Sequence, residues 1–140
     1  MDHRLTQIAH RCHDAAETGA MTFPQIVATL AEAGFESYEI DFRRGTATYF
    51  LPSGDSVTVG AQPSGVAVAP GFDAPAIRAA IGEAQRLAPG YTYPGFRRKV
   101  MAAGCAGYIV SLSGRRALYF GRTAETHVEH FPNQPAAGKP

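Results

Sequence analysis

Laid against itself at a shift of 70 residues, the chain repeats, and self-similarity at a fixed period is a statement about architecture. Thr22, Pro24, Ala33, Gly34, Tyr38, Ala47, Tyr49 and Phe50 recur without a gap as Thr92, Pro94, Ala103, Gly104, Tyr108, Ala117, Tyr119 and Phe120. These are eight identities between residues 22–50 and 92–120, where average residue usage gives roughly two by chance. Where the copies differ, Ile26/Phe96, Leu30/Val100, Ile40/Val110 and Phe42/Leu112 stay apolar. A half of about 70 residues is too small to be comfortable alone. One compact domain over 1–131 is therefore expected, made of two repeats at about 1–70 and 71–131. The residues 132–140 carry three prolines and no apolar periodicity, so a flexible tail is expected there.

Each copy reads as helix, turn, helix and strand meander. Leu5, Ile8, Ala9, Cys12, Ala15 and Ala16 share one face at helical periodicity, and Gly19-Ala20 closes that helix. Thr22 or Phe23 sits near the cap of a second helix, with Pro24 in its first turn, where a missing N–H is not needed. Gly34 ends it, since glycine adopts the left-handed conformation without steric cost. Strands are expected at Glu36–Phe42, Thr46–Leu51 and Ser56–Val59, with Gly65–Ala69 as a further short edge strand. In the second copy Asp73 caps a helix that Ala88-Pro89-Gly90 stops, Pro94–Ala103 is the short helix, and the strands are Gly107–Leu112, Arg116–Gly121 and Thr126–Phe131. The fold class is α+β: an internally duplicated helix–helix–strand-meander unit, its antiparallel sheet or sheets covered by helices about a pseudo-twofold axis.

Composition narrows the function classes. Thirteen basic and twelve acidic side chains give a formal charge of +1, and the only basic cluster is Arg97-Arg98-Lys99. A run this short reads as a solvated helix face, so no nucleic-acid partner is expected. No stretch approaches the roughly 20 apolar residues that span a bilayer, so no membrane partner is expected either. Met1-Asp2-His3-Arg4 lacks a basic-then-apolar export signal, and two cysteines make no disulfide framework. A cytoplasmic protein is the expectation.

Several stretches are familiar together: Ala102 to Tyr108 (Ala-Ala-Gly-Cys-Ala-Gly-Tyr), Tyr119 to Arg122 (Tyr-Phe-Gly-Arg), His127 to Pro132 (His-Val-Glu-His-Phe-Pro) and Thr48 to Asp55 (Thr-Tyr-Phe-Leu-Pro-Ser-Gly-Asp). The chain resembles an uncharacterised bacterial family, a domain of unknown function whose members include YbcV-like proteins and some labelled phage envelope protein. The resemblance covers roughly Thr22 through Pro132 and carries no activity, cofactor or catalytic residue over to these positions.

The most suggestive constellation is His127-Val128-Glu129-His130. On a strand His127, Glu129 and Phe131 share one face, the first two about 7 Å apart by strand rise. The first copy has Val57 and Val59 there, so the polar pair belongs to the diverged copy. An imidazole beside a carboxylate suits acid/base work or ligand contact. With no third ligand at a useful spacing, no metal is expected. The bland alternative is an edge strand guarded by polar side chains. His3, His10, Asp14 and Glu17 lie opposite the apolar stripe of helix one and read as its wet face, with i,i+4 pairs His10/Asp14 and His13/Glu17. Tyr38, Tyr49, Tyr108 and Tyr119 recur at equivalent strand positions and read as core, unless their hydroxyls converge on a pocket with Arg116 and Arg122. Cys12 and Cys105 read as small buried hydrophobes. Phosphate-loop and Gly-x-Ser-x-Gly patterns are absent.

The leading expectation is a non-enzymatic protein that binds a small ligand or a protein partner through Tyr119, Arg122, His127 and Glu129, with Arg116 as an anion contact and no cofactor. The alternative is a small hydrolase or isomerase using His127 as base and Glu129 to orient it. A third is a homodimeric structural or phage-related protein pairing through an exposed strand edge.

Overall fold

The computed structural model describes residues 1–60 and 65–132; of the tail expected over 132–140, all but Pro132 lies outside the described residues. Among the described residues four helices form where the caps require them. α1 (His3–Thr18) starts at Asp2, whose Oδ1 accepts from Arg4 N at 2.6 Å, and ends at Gly19 with φ +79°. α2 (Phe23–Ala33) opens on a capping box: Gln25 N donates to Thr22 Oγ1 while Thr22 N donates to Gln25 Oε1. α3 (Ala74–Gln85) starts at Asp73, and α4 (Tyr93–Ala102) at Thr92, whose Oγ1 accepts from Gly95 N at 3.1 Å. Each helix buries one stripe, represented by Cys12, Leu30, Ile77 and Val100.

The strands β1 (Ser37–Asp41), β2 (Thr46–Phe50), β3 (Ser56–Gly60), β4 (Cys105–Ser111), β5 (Arg116–Gly121) and β6 (Thr126–His130) form one antiparallel sheet in the order β3-β2-β1-β4-β5-β6. The two meanders therefore join edge to edge through β1 and β4. In that ladder Ser37 faces Ser111, Glu39 faces Ile109 and Asp41 faces Gly107. Glu39 thus pairs with the residue 70 positions on. Alternation does the rest: Tyr38, Ala47, Tyr49, Val59, Tyr108, Val110, Ala117 and Tyr119 are buried beneath the helices, whereas Glu39, Ile109 and Val128 point out from the other face.

Residues 65–69 are not a strand, contrary to the pattern expected of them. β3 and β6 sit at opposite edges, so the chain leaving β3 must cross the end of the sheet before α3. On that path Ala69 N donates to Met101 O at 3.0 Å, and Val68 is buried. The crossover then presses on the second half. A Cβ on Gly104, which has φ +95°, would overlap the Gly71 carbonyl oxygen; Gly34, its counterpart at φ +99°, has open space there.

The basic run on α4 stitches helices together rather than forming a wholly solvated face. Arg97 Nη1 donates to Glu17 Oε2 of α1 at 2.6 Å, and Lys99 Nζ to Glu83 Oε1 of α3 at 2.6 Å. Glu17 is thereby drawn off the wet face of α1, and His13 Nδ1 lies 3.5 Å from Asp14 Oδ1 rather than pairing with Glu17.

Candidate functional site

β6 turns His127 and Glu129 toward the helices and Val128 and His130 to the opposite face. His127 stands beside Tyr119 in the ladder, and Glu129 beside Ala117. The imidazole Nε2 lies 3.0 Å from Glu129 Oε1, and Gln85 Nε2 at the end of α3 donates to Glu129 Oε2 at 3.4 Å. Both carboxylate oxygens are thus engaged. With Nε2–H donating to Glu129, the neutral ring keeps Nδ1 as its acceptor, the tautomer a base would need. The two side chains are 17% and 29% exposed, half-covered rather than free in solvent.

The first half holds different residues at the equivalent edge. Val57 and Val59 hold the equivalent places on β3, with Val59 buried and α1 packed above the strand. α1 runs to Thr18, whereas α3 stops at Gln85, one turn sooner by the repeat. Gln85, in the last turn of α3, reaches down to Glu129.

Behind this edge lies a chain of aromatics. Tyr38 and Tyr49 stack with ring centroids 5.3 Å apart, Tyr108 and Tyr119 at 5.0 Å, and Phe96 joins Tyr119 at 6.5 Å. The Tyr93 and Tyr108 hydroxyls share a hydrogen bond of 2.8 Å, and the Arg97 guanidinium sits 5.5 Å from the Tyr93 ring centroid. Burial pushes the phenols of Tyr38, Tyr49, Tyr93, Tyr108 and Tyr119 well above their ordinary range, and all five remain neutral donors near neutral pH. Among the described residues, Tyr38, Tyr49 and Tyr119 make no side-chain hydrogen bond.

Of the residues singled out from the sequence, Tyr119, His127 and Glu129 come together. Arg116 does not join them: it faces the uncovered side of the sheet, paired in the ladder with His130, and its Nε donates to Gly114 O at 3.3 Å. Arg122 lies past the end of β5, where Nη1 donates to Val68 O at 3.0 Å. Strand parity separates Arg116 from His127, and the turn after Gly121 carries Arg122 away. Sequence reasoning missed Gln85, which is 44 residues from Glu129 and carries no local signal. Tyr93 did have one, since it adds a hydroxyl where the first copy has Phe23.

The cysteines are not nucleophiles in waiting. Burial pushes the Cys105 thiol up to about 11, and its Sγ donates to Gly107 O; the Cys12 thiol is raised by the same cause. Among the described residues no three His, Cys, Asp or Glu side chains gather in a group that could hold a metal ion, and no helix is long and apolar enough to cross a membrane. No curated protein matches the chain. The family described as protein of unknown function (DUF1398) matches residues 11–129, most of the length, and the chain belongs to that family.

Proposed function

We propose that this protein binds a small molecule at the open edge of the second half, with His127, Glu129 and Tyr119 as its polar contacts. One observation carries the reading: where β3 offers valines to a covering helix, β6 offers a bonded imidazole–carboxylate pair that stays partly exposed beside α3. The neighbouring Tyr119 hydroxyl supports it, being a neutral donor with no side-chain hydrogen bond among the described residues, on a residue 8% exposed. A site built to satisfy such groups discriminates strongly among ligands, because the wrong ligand leaves them unpaired. Native mass spectrometry of protein purified gently and without chelator tests it. Added mass on the folded chain, lost when His127 and Glu129 are both replaced by valine as in the first half, is the expected result. A bare chain, or a ligand retained by that variant, would overturn the assignment.

The same bonded pair favours an enzyme as the second reading, with His127 Nδ1 as general base and Glu129 fixing the ring. The recovered molecule separates the two: a bound ligand returned unchanged after prolonged incubation with excess protein supports binding alone, and conversion supports catalysis.

A further inference from the structure

At the end of the sheet crossed by residues 65–69 lies a cavity of about 390 Å³, bounded by Phe42 and Arg43, by residues 65–68 and by Arg122. It involves neither His127 nor Glu129. Its apolar wall is firm, for Phe42 and Val68 are 3% and 5% exposed. Its charge is one-sided, since both ionisable residues lining it are arginines.

Neither guanidinium has a carboxylate partner among the described residues, and the reason lies in the turns. Asp41, two residues before Arg43, uses Oδ1 to accept from the backbone amides of Arg43 and Arg44 at 2.9 and 3.1 Å. Glu125, three residues after Arg122, accepts from Thr123 Oγ1 at 2.7 Å. The acids nearest in sequence are occupied in shaping their own turns. Arg122 is also held in place by the Val68 carbonyl, which takes one of its donors, leaves the others without a carboxylate among the described residues and lowers the entropy lost when a ligand binds.

We infer that this cavity is a binding site for a small organic anion, with its carboxylate or phosphate head between Arg43 and Arg122 and its apolar body against Phe42 and Val68. Guanidinium presents a planar fork of donors that matches such heads, and a volume in this range suits a small ligand. The site is separate from the edge of β6, so either can fail without the other.

The experiment is a titration followed by amide NMR, with phenyl phosphate as the probe, 3-phenylpropionate to compare head groups, and inorganic phosphate and phenol as half-probes. Saturable shifts at residues 65–68 and Phe42 are expected with the two anionic aromatics. Each half-probe should bind at least about tenfold more weakly, since head and body each contribute. Arg43→Gln and Arg122→Gln should each weaken phenyl phosphate by about tenfold, the loss of one charge-assisted fork, while His127→Val/Glu129→Val leaves it unchanged. Because Arg122 also braces Val68, Arg43→Gln keeps the test decisive if Arg122→Gln perturbs the fold. The inference is overturned by absent or unsaturable shifts, by phenol or inorganic phosphate binding as tightly as phenyl phosphate, or by full affinity in Arg43→Gln.

Discussion

The strands β3 and β6 hold equivalent ends of one sheet, yet they offer opposite chemistry to the helices above them. β3 gives Val57 and Val59 to α1; β6 gives His127 and Glu129 to an edge where both side chains stay partly exposed. The uncovered face diverges the other way. Thr58, Thr48 and Glu39 of the first half continue, strand by strand in the same transverse row, as Ile109, Leu118 and Val128. The backbone beneath is hardly altered. The turn position held by Gly45 at φ +73° is held by Arg115 at φ +53°, and that of Gly54 at φ +93° by Ala124 at φ +67°. The second half thus keeps left-handed turns with residues that adopt them at some strain. The copies retain what fixes the chain path and inner packing, and differ in what faces outward or toward the open edge. The polar groups gained on that common frame lie in the second half.

The largest expected effect concerns what the halves share. Five buried phenols from both copies have pKa values raised above their ordinary value of 10.0, so the folded state holds its protons more tightly than the unfolded one. Their contribution is complete below about pH 10 and is lost as pH rises toward the folded-state values. Each phenol removes about 1.4 kcal/mol per pH unit above that point, so five acting together exceed the stability of an ordinary domain within two units. Tyrosine absorbance and circular dichroism followed together should change in one cooperative step between about pH 10 and 12. Early, gradual ionisation without unfolding would show that the phenols are not a shared core.

Glycines at equivalent helix ends sharpen the contrast. Gly104→Ala should cost about 3–5 kcal/mol, combining the left-handed backbone with collision against the crossover, whereas Gly34→Ala should cost only about 1–2. Urea denaturation of both variants measures the gap, and equal losses would mean that the crossover does not grip the second half. The paired tyrosines give a smaller difference. Tyr108→Phe leaves the Tyr93 hydroxyl without its partner, costing about 1–3 kcal/mol, while Tyr38→Phe removes a hydroxyl that makes no side-chain hydrogen bond among the described residues and should change stability by less than about 0.5. Thermal unfolding of the two side by side would break the comparison if they matched.

Much of this architecture was legible because its determinants are local. Thr22-Phe23-Pro24-Gln25, Asp73 and the glycines that end α1 and α2 carry the helix boundaries, and the alternation through Tyr38 to Phe42 fixes which side of β1 is buried. The bonded pair on β6 follows from the same period of two. The rest depended on contacts between distant residues. The joining of the meanders at Glu39 and Ile109, and the reach of Gln85 to Glu129, follow from long-range pairing that no local spacing encodes. Residues 65–69 alternate like a strand, but the need to cross from one sheet edge to the other side overrode the pattern. Arg116 and Arg122 flank Tyr119 in sequence, yet strand parity and a turn send them to different surfaces.

The central claim is that His127 and Glu129 serve a ligand rather than the fold. Urea stability and native mass, measured on one preparation each of the wild type and of His127→Val/Glu129→Val, test it most directly. The expected variant has lost the bound molecule and is at least as stable as wild type stripped of it, because valines already fill these places in the first half; the bound molecule adds its own stability to the loaded wild type. A variant destabilised by about 2 kcal/mol or more, from a wild type that carries nothing, would make the pair a structural brace and contradict the account.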